Sequence, residues 1–468
     1  PQFNDGTVLL TGATGALGTL VLEKLLRCCN GLNKIFVAVR GKNGASADQR
    51  LKELLTTKVF DRVRLEQREA LSKVELVDMD LGWESHSSRI APTVTMIIHC
   101  ALVTDFTHSL IDAVEVNIKQ TIALMQLAYS CKKIEAFVVA TSTLCHSRER
   151  VLEERFYPPP VTASGMCVVI DSLAQHPLSN DSSGCFRLIL GDICASLVTL
   201  TITEDILRQG RKFLPLAIVR PSMLVASYKE PLAGWLPPSP KGVMRLLAYA
   251  MQGRLSTLRT EPDVKAELIP ADLAASALIA VAAHTSSVRR NWHNKETEDS
   301  GNLYQIVLDS EIPIYNLVSS NQSPLSWREF FVCSLRHARN VPFLDTAWYP
   351  RLILTPSKLW FTMLFYTFHL LPALVVDCFY TFTKNPNVIN SKISRVYEKY
   401  SSVQKQCEAL TAHTMTSQKY QDNNTQALWR TLSIADRTTF NFSVSQLDWD
   451  EYLYTLARGV RLYCLGDS

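Results

Sequence analysis

The stretch TVLLTGATGALGTLVLEKLLR, residues 7–27, decides the fold. Val8 to Leu10 are a short apolar run, the pattern of a buried strand. Leu17, Val21, Leu22, Leu25 and Leu26 then recur at helical spacing. Gly12, Gly15 and Gly18 lie in the turn and the first helical turn. Glycine suits that place because a pyrophosphate can rest on a helix N-terminus only where no Cβ keeps it from the free N–H groups and the positive dipole end. A second strand pattern, KIFVAVR (34–40), follows at the distance of a βαβ unit. The segment therefore predicts a dinucleotide cradle, with Thr11, Gly12, Thr14, Gly15, Ala16, Leu17 and Gly18 as cofactor contacts.

The end of the second strand bears on which dinucleotide. An NAD site expects an acid there to hold the ribose 2′-OH. This chain has Arg40, followed by Lys42, and a cation suits a 2′-phosphate, so NADPH is the expected cofactor. The alternation of strands and helices continues. KVELVDMDL ends at Asp80–Leu81, VTMIIHCALV ends near Ala101, and IEAFVVATST ends at Thr141–Ser142. Such alternation predicts an α/β fold, a Rossmann-type doubly wound parallel sheet that binds ligands at its strand C-terminal ends. Asp80 and Leu81 are then expected near the adenine and Ala101 near the phosphates and ribose. Thr141 and Ser142 are expected at the reacting centre.

The 468 residues exceed what one core organises, and two domains or one enlarged domain is the expectation. With 48 basic and 44 acidic residues the net charge is +4, and no Lys/Arg run concentrates it, so nucleic acid is not an expected partner. The 12 cysteines show no CxxC pair or Cys/His cluster at zinc spacing, so no metal site is expected and reduced thiols are the default.

Several further segments carry a resemblance. FDRVR, YPPPV, LAIVRPSMLVASYKEPLAGW, GVMRLL and IPADLAASALIAVAAH join TGATGALG, and FHLLPALVVD and DNNTQALWRTLSIADRTTFNFSVSQLDWDEYL follow in the C-terminal part. Together they resemble the fatty acyl-CoA reductases, extended short-chain dehydrogenases with a C-terminal male-sterility domain. The resemblance implies reduction of a long-chain acyl-CoA to a fatty alcohol through a bound aldehyde, with two NADPH consumed, as in wax biosynthesis. It implies a membrane-associated, cytosol-facing protein of the endoplasmic reticulum or peroxisome. It also places Pro221 beside the nicotinamide and maps the family's Ser-Thr pair onto Thr141–Ser142, with Leu144 where a Tyr follows.

At one position the pattern breaks. The family reads Thr-Tyr-Thr-x-Thr-Lys, and this chain reads Thr199-Leu200-Thr201-Ile202-Thr203-Glu204. The threonines hold the register, so Leu200 stands for the Tyr and Glu204 for the Lys of the Tyr-x-x-x-Lys dyad. Hydride delivery to a carbonyl builds alkoxide charge. A phenol can protonate it, and a nearby ammonium lowers the phenol pKa. Leucine donates nothing, and a glutamate is expected to add negative charge where charge develops. Tyr129 and Lys133 have dyad spacing but lie on a helix at the wrong end of the next strand. Two readings stand: a reductase using water or Ser142 as proton source, or a catalytically inactive NADPH- and lipid-binding descendant.

From about Phe343 the alternation stops, so a reductase domain is expected over 1–342 and a helical domain over 343–468. LWFTMLFYTFHLLPALVV (359–376) carries no formal charge, near the ~18-residue minimum for a span, but Pro372 interrupts it and Asp377 closes it. Residues 359–382 are expected to associate with a membrane surface, as a bent, interfacial or re-entrant helix or a span; a buried core helix is the alternative. Asp422 and Asp436 read as helix caps, and Trp429 and Trp449 as core anchors.

Overall fold

The computed structural model describes residues 3, 5–104, 109–147, 149–175, 194–211, 214–296, 311–341, 343–344, 346–382 and 396–466. Residues 176–193, just before the dyad positions, lie outside these residues.

Seven parallel strands form the main sheet among the described residues: β1 Thr7–Thr11, β2 Lys34–Val39, β3 Val74–Asp78, β4 Met96–His99, β5 Ala136–Ala140, β6 Leu216–Pro221 and β7 Ile314–Leu317. Their order is 7-6-5-4-1-2-3, so the winding reverses between β1 and β4. The strand cores are apolar and mostly buried, as a sheet covered on both faces requires. This is the Rossmann-type α/β fold expected from residues 7–27.

Helix α1, Ala16–Cys28, is more buried than its amphipathic pattern implies. Glu23, Lys24 and Arg27 are all inside, because α3, Ala271–Glu296, lies against it. Their charges are matched: Arg27 Nε donates to Glu23 at 2.6 Å and its Nη2 to Glu230 at 3.1 Å, and Lys24 also pairs with Glu230.

The chain forms two compact units that interleave, where the sequence suggests one cut after residue 342. The first unit comprises 1–232, 268–318 and 419–444, and the second comprises 233–267, 319–418 and 445–468. The reason is long-range pairing that local patterns do not carry. Glu154 accepts from the backbone N–H groups of Asn316 (3.1 Å) and Asn424 (2.6 Å), and Asn424 Nδ2 donates to the Ile314 carbonyl at 2.8 Å. The helix Asn423–Thr431 is thereby drawn against β7, the last strand of the sheet, whose edge needs such cover.

The second unit is mainly helical, with one short parallel pair among its described residues, Thr257–Arg259 and Ile353–Thr355. The helix through 358–382 does not break at Pro372; a π-turn over Tyr366–Leu370 precedes the proline and absorbs it. Asp422 occupies an N-cap position without a side-chain cap bond. Asp436 is the partner of a cap, Ser433, rather than the cap.

Candidate active site

The three cradle glycines have different reasons. Gly12 has φ +76°, and a Cβ there would lie 2.5 Å from the Cys100 carbonyl carbon and 2.6 Å from Ala101 N, so the chain after β4 closes on it. A Cβ on Gly18 would lie 2.1 Å from Gly12 O. These two serve the protein's own packing. Gly15 is exposed and its Cβ would meet only Gly12 O, at 3.3 Å. It caps α1, has no side-chain cap bond, and no acid stands in the first turn. A Cβ there would fill space in front of a helix N-terminus that an anion suits. The residues present therefore fit a dinucleotide pyrophosphate.

Not every expected contact faces that space. Thr11 Oγ1 is bonded to His99 Nδ1 at 2.6 Å, and His99 Nε2 bonds Thr121 Oγ1 at 3.2 Å; burial lowers the His99 pKa to about 4, leaving it neutral. Thr14, Ala16 and Leu17 are exposed or half-buried around Gly15. Arg40 is exposed at the end of β2, and Asp80 Oδ2 accepts from Gly41 N at 2.7 Å, so the ends of β2 and β3 are tied together. Leu81 is exposed beside Asp80. The structure adds Arg50, which the sequence reading missed. Its guanidinium donates to the Arg40 carbonyl and, at 3.2 Å, to Thr14 Oγ1. A second cation thus spans the glycine turn and the β2 end. It sits ten residues downstream on another helix, so strand-end spacing could not reveal it.

At the other half of the sheet edge, α2, Ala195–Gln209, presents Leu200 and Glu204. Leu200 is fully buried. Glu204 is buried too, and it is not an unpaired charge. Arg220 Nε donates to its Oε1 at 2.9 Å and Nη2 to its Oε2 at 2.6 Å. Thr141 Oγ1 donates to Oε1 at 2.7 Å, and His146 Nε2 donates to Oε2 at 2.8 Å. Burial pushes the carboxyl up, but Arg220 and then His146 outweigh it and hold it well below the usual carboxylate range. The expectation that Glu204 adds net negative charge at the reaction centre is corrected: a buried guanidinium cancels it. Arg220 also donates to the Glu153 and Arg155 carbonyls at 3.2 and 3.0 Å.

The ligand atoms of Cys145, His146 and Glu204 lie within 4.8 Å of one another. Both carboxylate oxygens are already taken, and burial, then Glu204, drives the Cys145 thiol well up. The set is a poor metal ligand group for those reasons.

Thr141 spends its proton on Glu204. Ser142 Oγ donates to the Pro221 carbonyl at 3.3 Å and accepts from Leu144 N at 3.2 Å. Two neighbouring hydroxyls are different: Thr143 Oγ1 and Ser222 Oγ are buried and have no partner among the described residues. They stand just past the ends of β5 and β6, where open α/β sheets take their ligands. Asn117, in a π-turn at Val114–Lys119, ties the neighbourhood together, bonding Val103 N at 2.7 Å and Thr199 Oγ1 at 2.9 Å. Tyr129 donates to the Gly210 carbonyl at the far end of α2, away from these groups.

The comparisons bear on the family and the fold. A family model described as male sterility protein matches residues 10–278, and a second of the same description matches 368–467. Fatty acyl-CoA reductase 1 of Mus musculus and of Homo sapiens are each 30% identical over 478 residues, covering all of this chain and 86% of theirs. The fatty acyl-CoA reductase wat of Drosophila melanogaster is 25% identical over 472 residues, covering all of this chain and 85% of its own. Among solved structures, the terminal R domain of the myxalamid pathway (TM-score 0.58, 16% identity, 98% of this chain and 90% of that one) shares the fold. So does the reductase domain of a Mycobacterium tuberculosis nonribosomal peptide synthetase (TM-score 0.57, 17% identity, 100% and 94%). With its nicotinamide-dinucleotide fold and full-length similarity, the chain belongs to the fatty acyl-CoA reductase family.

Proposed function

We propose that this protein binds NADPH and a long-chain acyl-CoA at a cytosol-facing membrane surface and is severely impaired in reducing the thioester to fatty alcohol. The observation that carries the reading is the fate of the dyad positions. Leu200 is a buried hydrocarbon and Glu204 is consumed by Arg220, His146 and Thr141. Neither can protonate an alkoxide or hold a ribose hydroxyl as a cation would. Loss of a positioned acid costs about 10²–10⁴-fold in rate.

The cradle supports cofactor binding. Gly15 and the α1 N-terminus would hold the pyrophosphate, and Arg40 and Arg50 the 2′-phosphate. Asp80, Leu81 and Ala101 line the adenine and ribose side of the same edge. When bound, the nicotinamide supplies the hydride. The protein's own part is to orient the acyl oxygen. Thr143 and Ser222 are the hydroxyls left to donate to it, since Thr141 and Ser142 are occupied in holding the strand ends and Pro221. The 11 described cysteines are all free, as suits a reducing compartment.

The test is paired. Nicotinamide fluorescence measures NADPH and NADH affinity, and product analysis measures alcohol and aldehyde from palmitoyl-CoA. Tight NADPH binding with little product supports the reading. Absent NADPH binding removes the cofactor assignment, and rapid alcohol formation removes the impairment.

A further inference from the structure

The helix Lys358–Phe379, in which an 18-residue window reaches a mean hydropathy of 1.7, has two unlike faces. One is docked into its own unit. Phe361, Phe365 and Ala373 are buried, and so is His369, whose Nε2 bonds the Ser256 backbone N at 3.2 Å and its Oγ at 3.0 Å. The other face is exposed and apolar: Leu359, Trp360, Met363, Leu371, Val375 and Phe379, with Leu359 80% exposed and Phe379 64%. No formal charge lies between Lys358 and Asp377.

The connections at both ends bear on how such a helix can meet a bilayer. Before it, Ile353–Thr355 pairs with Thr257–Arg259. After it, Asp377 accepts from Val396 N at 2.9 Å and Tyr397 N at 3.0 Å, fixing its end to the helix Val396–Thr414. That second helix returns to the same strand, where Thr411 Oγ1 donates to the Arg259 carbonyl at 3.3 Å. It exposes Glu398, Lys399, Lys405 and Glu408, which hydrocarbon excludes. A crossing of the bilayer by Lys358–Phe379 would drag this charged companion in, or strip Phe361, Phe365 and the His369 bond from the core.

A second group of exposed rings lies nearby. Trp348 and Tyr349 are exposed on a loop held to Gln252 by Ala347 N at 2.9 Å. Gln252 is four residues from Ser256, the partner of His369. Gly253, at φ +69°, lets the loop this close, for a Cβ there would lie 1.9 Å from Trp348 O. Arg351 and Lys358 are exposed between the loop and the helix. Apolar face, Trp and Tyr, and flanking cations are the composition that suits an anionic bilayer interface.

We propose that Lys358–Phe379 lies in the plane of an anionic phospholipid bilayer, with its exposed face sunk in the headgroup–acyl boundary, Trp348 and Tyr349 as a second anchor, and no crossing. This rests on the membrane-surface reading above and specifies its geometry. Phe361 and Phe365 are core, so replacing them by Ser would unfold the unit rather than report on lipid.

The experiment uses the full chain with sealed phosphatidylcholine vesicles, with and without phosphatidylserine. The protein floats with the phosphatidylserine vesicles, and Leu359→Ser/Val375→Ser/Phe379→Ser lowers the bound fraction at least tenfold while keeping the native circular dichroism. A membrane-impermeant maleimide, added outside and mapped by mass spectrometry, labels both Lys358→Cys and the exposed native Cys378. Labelling of only one end means a span and overturns the in-plane geometry while the membrane reading stands. No flotation overturns the membrane reading itself. Equal flotation without phosphatidylserine, or of the triple variant, overturns the anionic surface or this face as its docking site. A triple variant that instead loses a dimer means the face binds a second copy.

Discussion

Arg220 grips Glu204 with two hydrogen bonds, Nε to Oε1 at 2.9 Å and Nη2 to Oε2 at 2.6 Å, and both side chains are essentially excluded from water. A lysine-for-glutamate difference at this position is therefore not a surface change of sign. It is one half of a buried ion pair that also anchors Thr141, His146 and the carbonyls of Glu153 and Arg155.

That relationship decides how the missing dyad can be rebuilt. Leu200→Tyr with Glu204→Lys looks like a restoration from the sequence, but it would set a second cation against Arg220 and force a phenol into a filled site. We expect Glu204→Lys to destabilise the fold by about 3–5 kcal/mol, the cost of breaking a buried pair. Overpacking at Leu200→Tyr adds about 1–3 kcal/mol. Glu204→Gln, which keeps the shape and some bonds, should cost less. Denaturant titration of the three variants orders them, and a double variant as stable as the native protein would contradict the buried-pair account.

The same pair sets an acid limit. Glu204 titrates below its ordinary 4.5 in the fold, so its contribution is complete above about pH 4.5 and is lost as the pH falls through the lower folded value. The stability gap between the native protein and Glu204→Gln should shrink as the pH falls below about 4.5. His99 adds a separate slope. It is held neutral with a pKa near 4 against 6.5 unfolded, so stability should decline from pH 6.5 towards 4 in both proteins. Unfolding midpoints between pH 3 and 8 read both effects.

Nucleotide selectivity should depend on Arg50 as well as Arg40. Arg50→Ala removes the cation bonded to Thr14 and the Arg40 carbonyl, and should weaken NADPH by about tenfold or more, the worth of a charge-assisted hydrogen bond at ~1.5–3 kcal/mol. NADH binding should change little. Equal affinity of the native protein for both nucleotides would sink the 2′-phosphate assignment.

Thr143→Ala and Ser222→Ala should each leave NADPH affinity in place and lower whatever acyl-CoA turnover remains, since their hydroxyls have no partner within the described residues. Thr141→Ala should instead lower stability, because its partner is Glu204. Turnover that follows Thr141 and ignores Thr143 would reverse these roles.

The sheet was legible because its signals are local. A strand, three glycines and a helix sit within residues 7–27, and β2, β4 and β5 are short, largely apolar runs. β3, with Glu75 inside it, and β7, a four-residue strand with Asn316, carry weaker signals, and β7 was not anticipated. The centre was legible only in part. The substitutions at Leu200 and Glu204 are visible in the sequence, but the meaning of Glu204 depends on Arg220, 16 residues away, and on His146, 58 residues away. Likewise the apolar run 359–376 was plain, but Pro372 suggested a break. The π-turn before it keeps the helix continuous and puts Phe361 and Phe365 inside.

We propose that cofactor binding has been kept while the chemical step has been crippled. The most direct measurement is a quenched single-turnover reaction of the NADPH-saturated protein with palmitoyl-CoA, using cofactor deuterated at the transferred position and following deuterium into aldehyde and alcohol. The account predicts saturable NADPH binding with deuterium transfer at least about 10²-fold slower than a typical enzymatic rate of ~1–10 s⁻¹. Transfer at ~1 s⁻¹ or faster would contradict it and mean that another group supplies the proton.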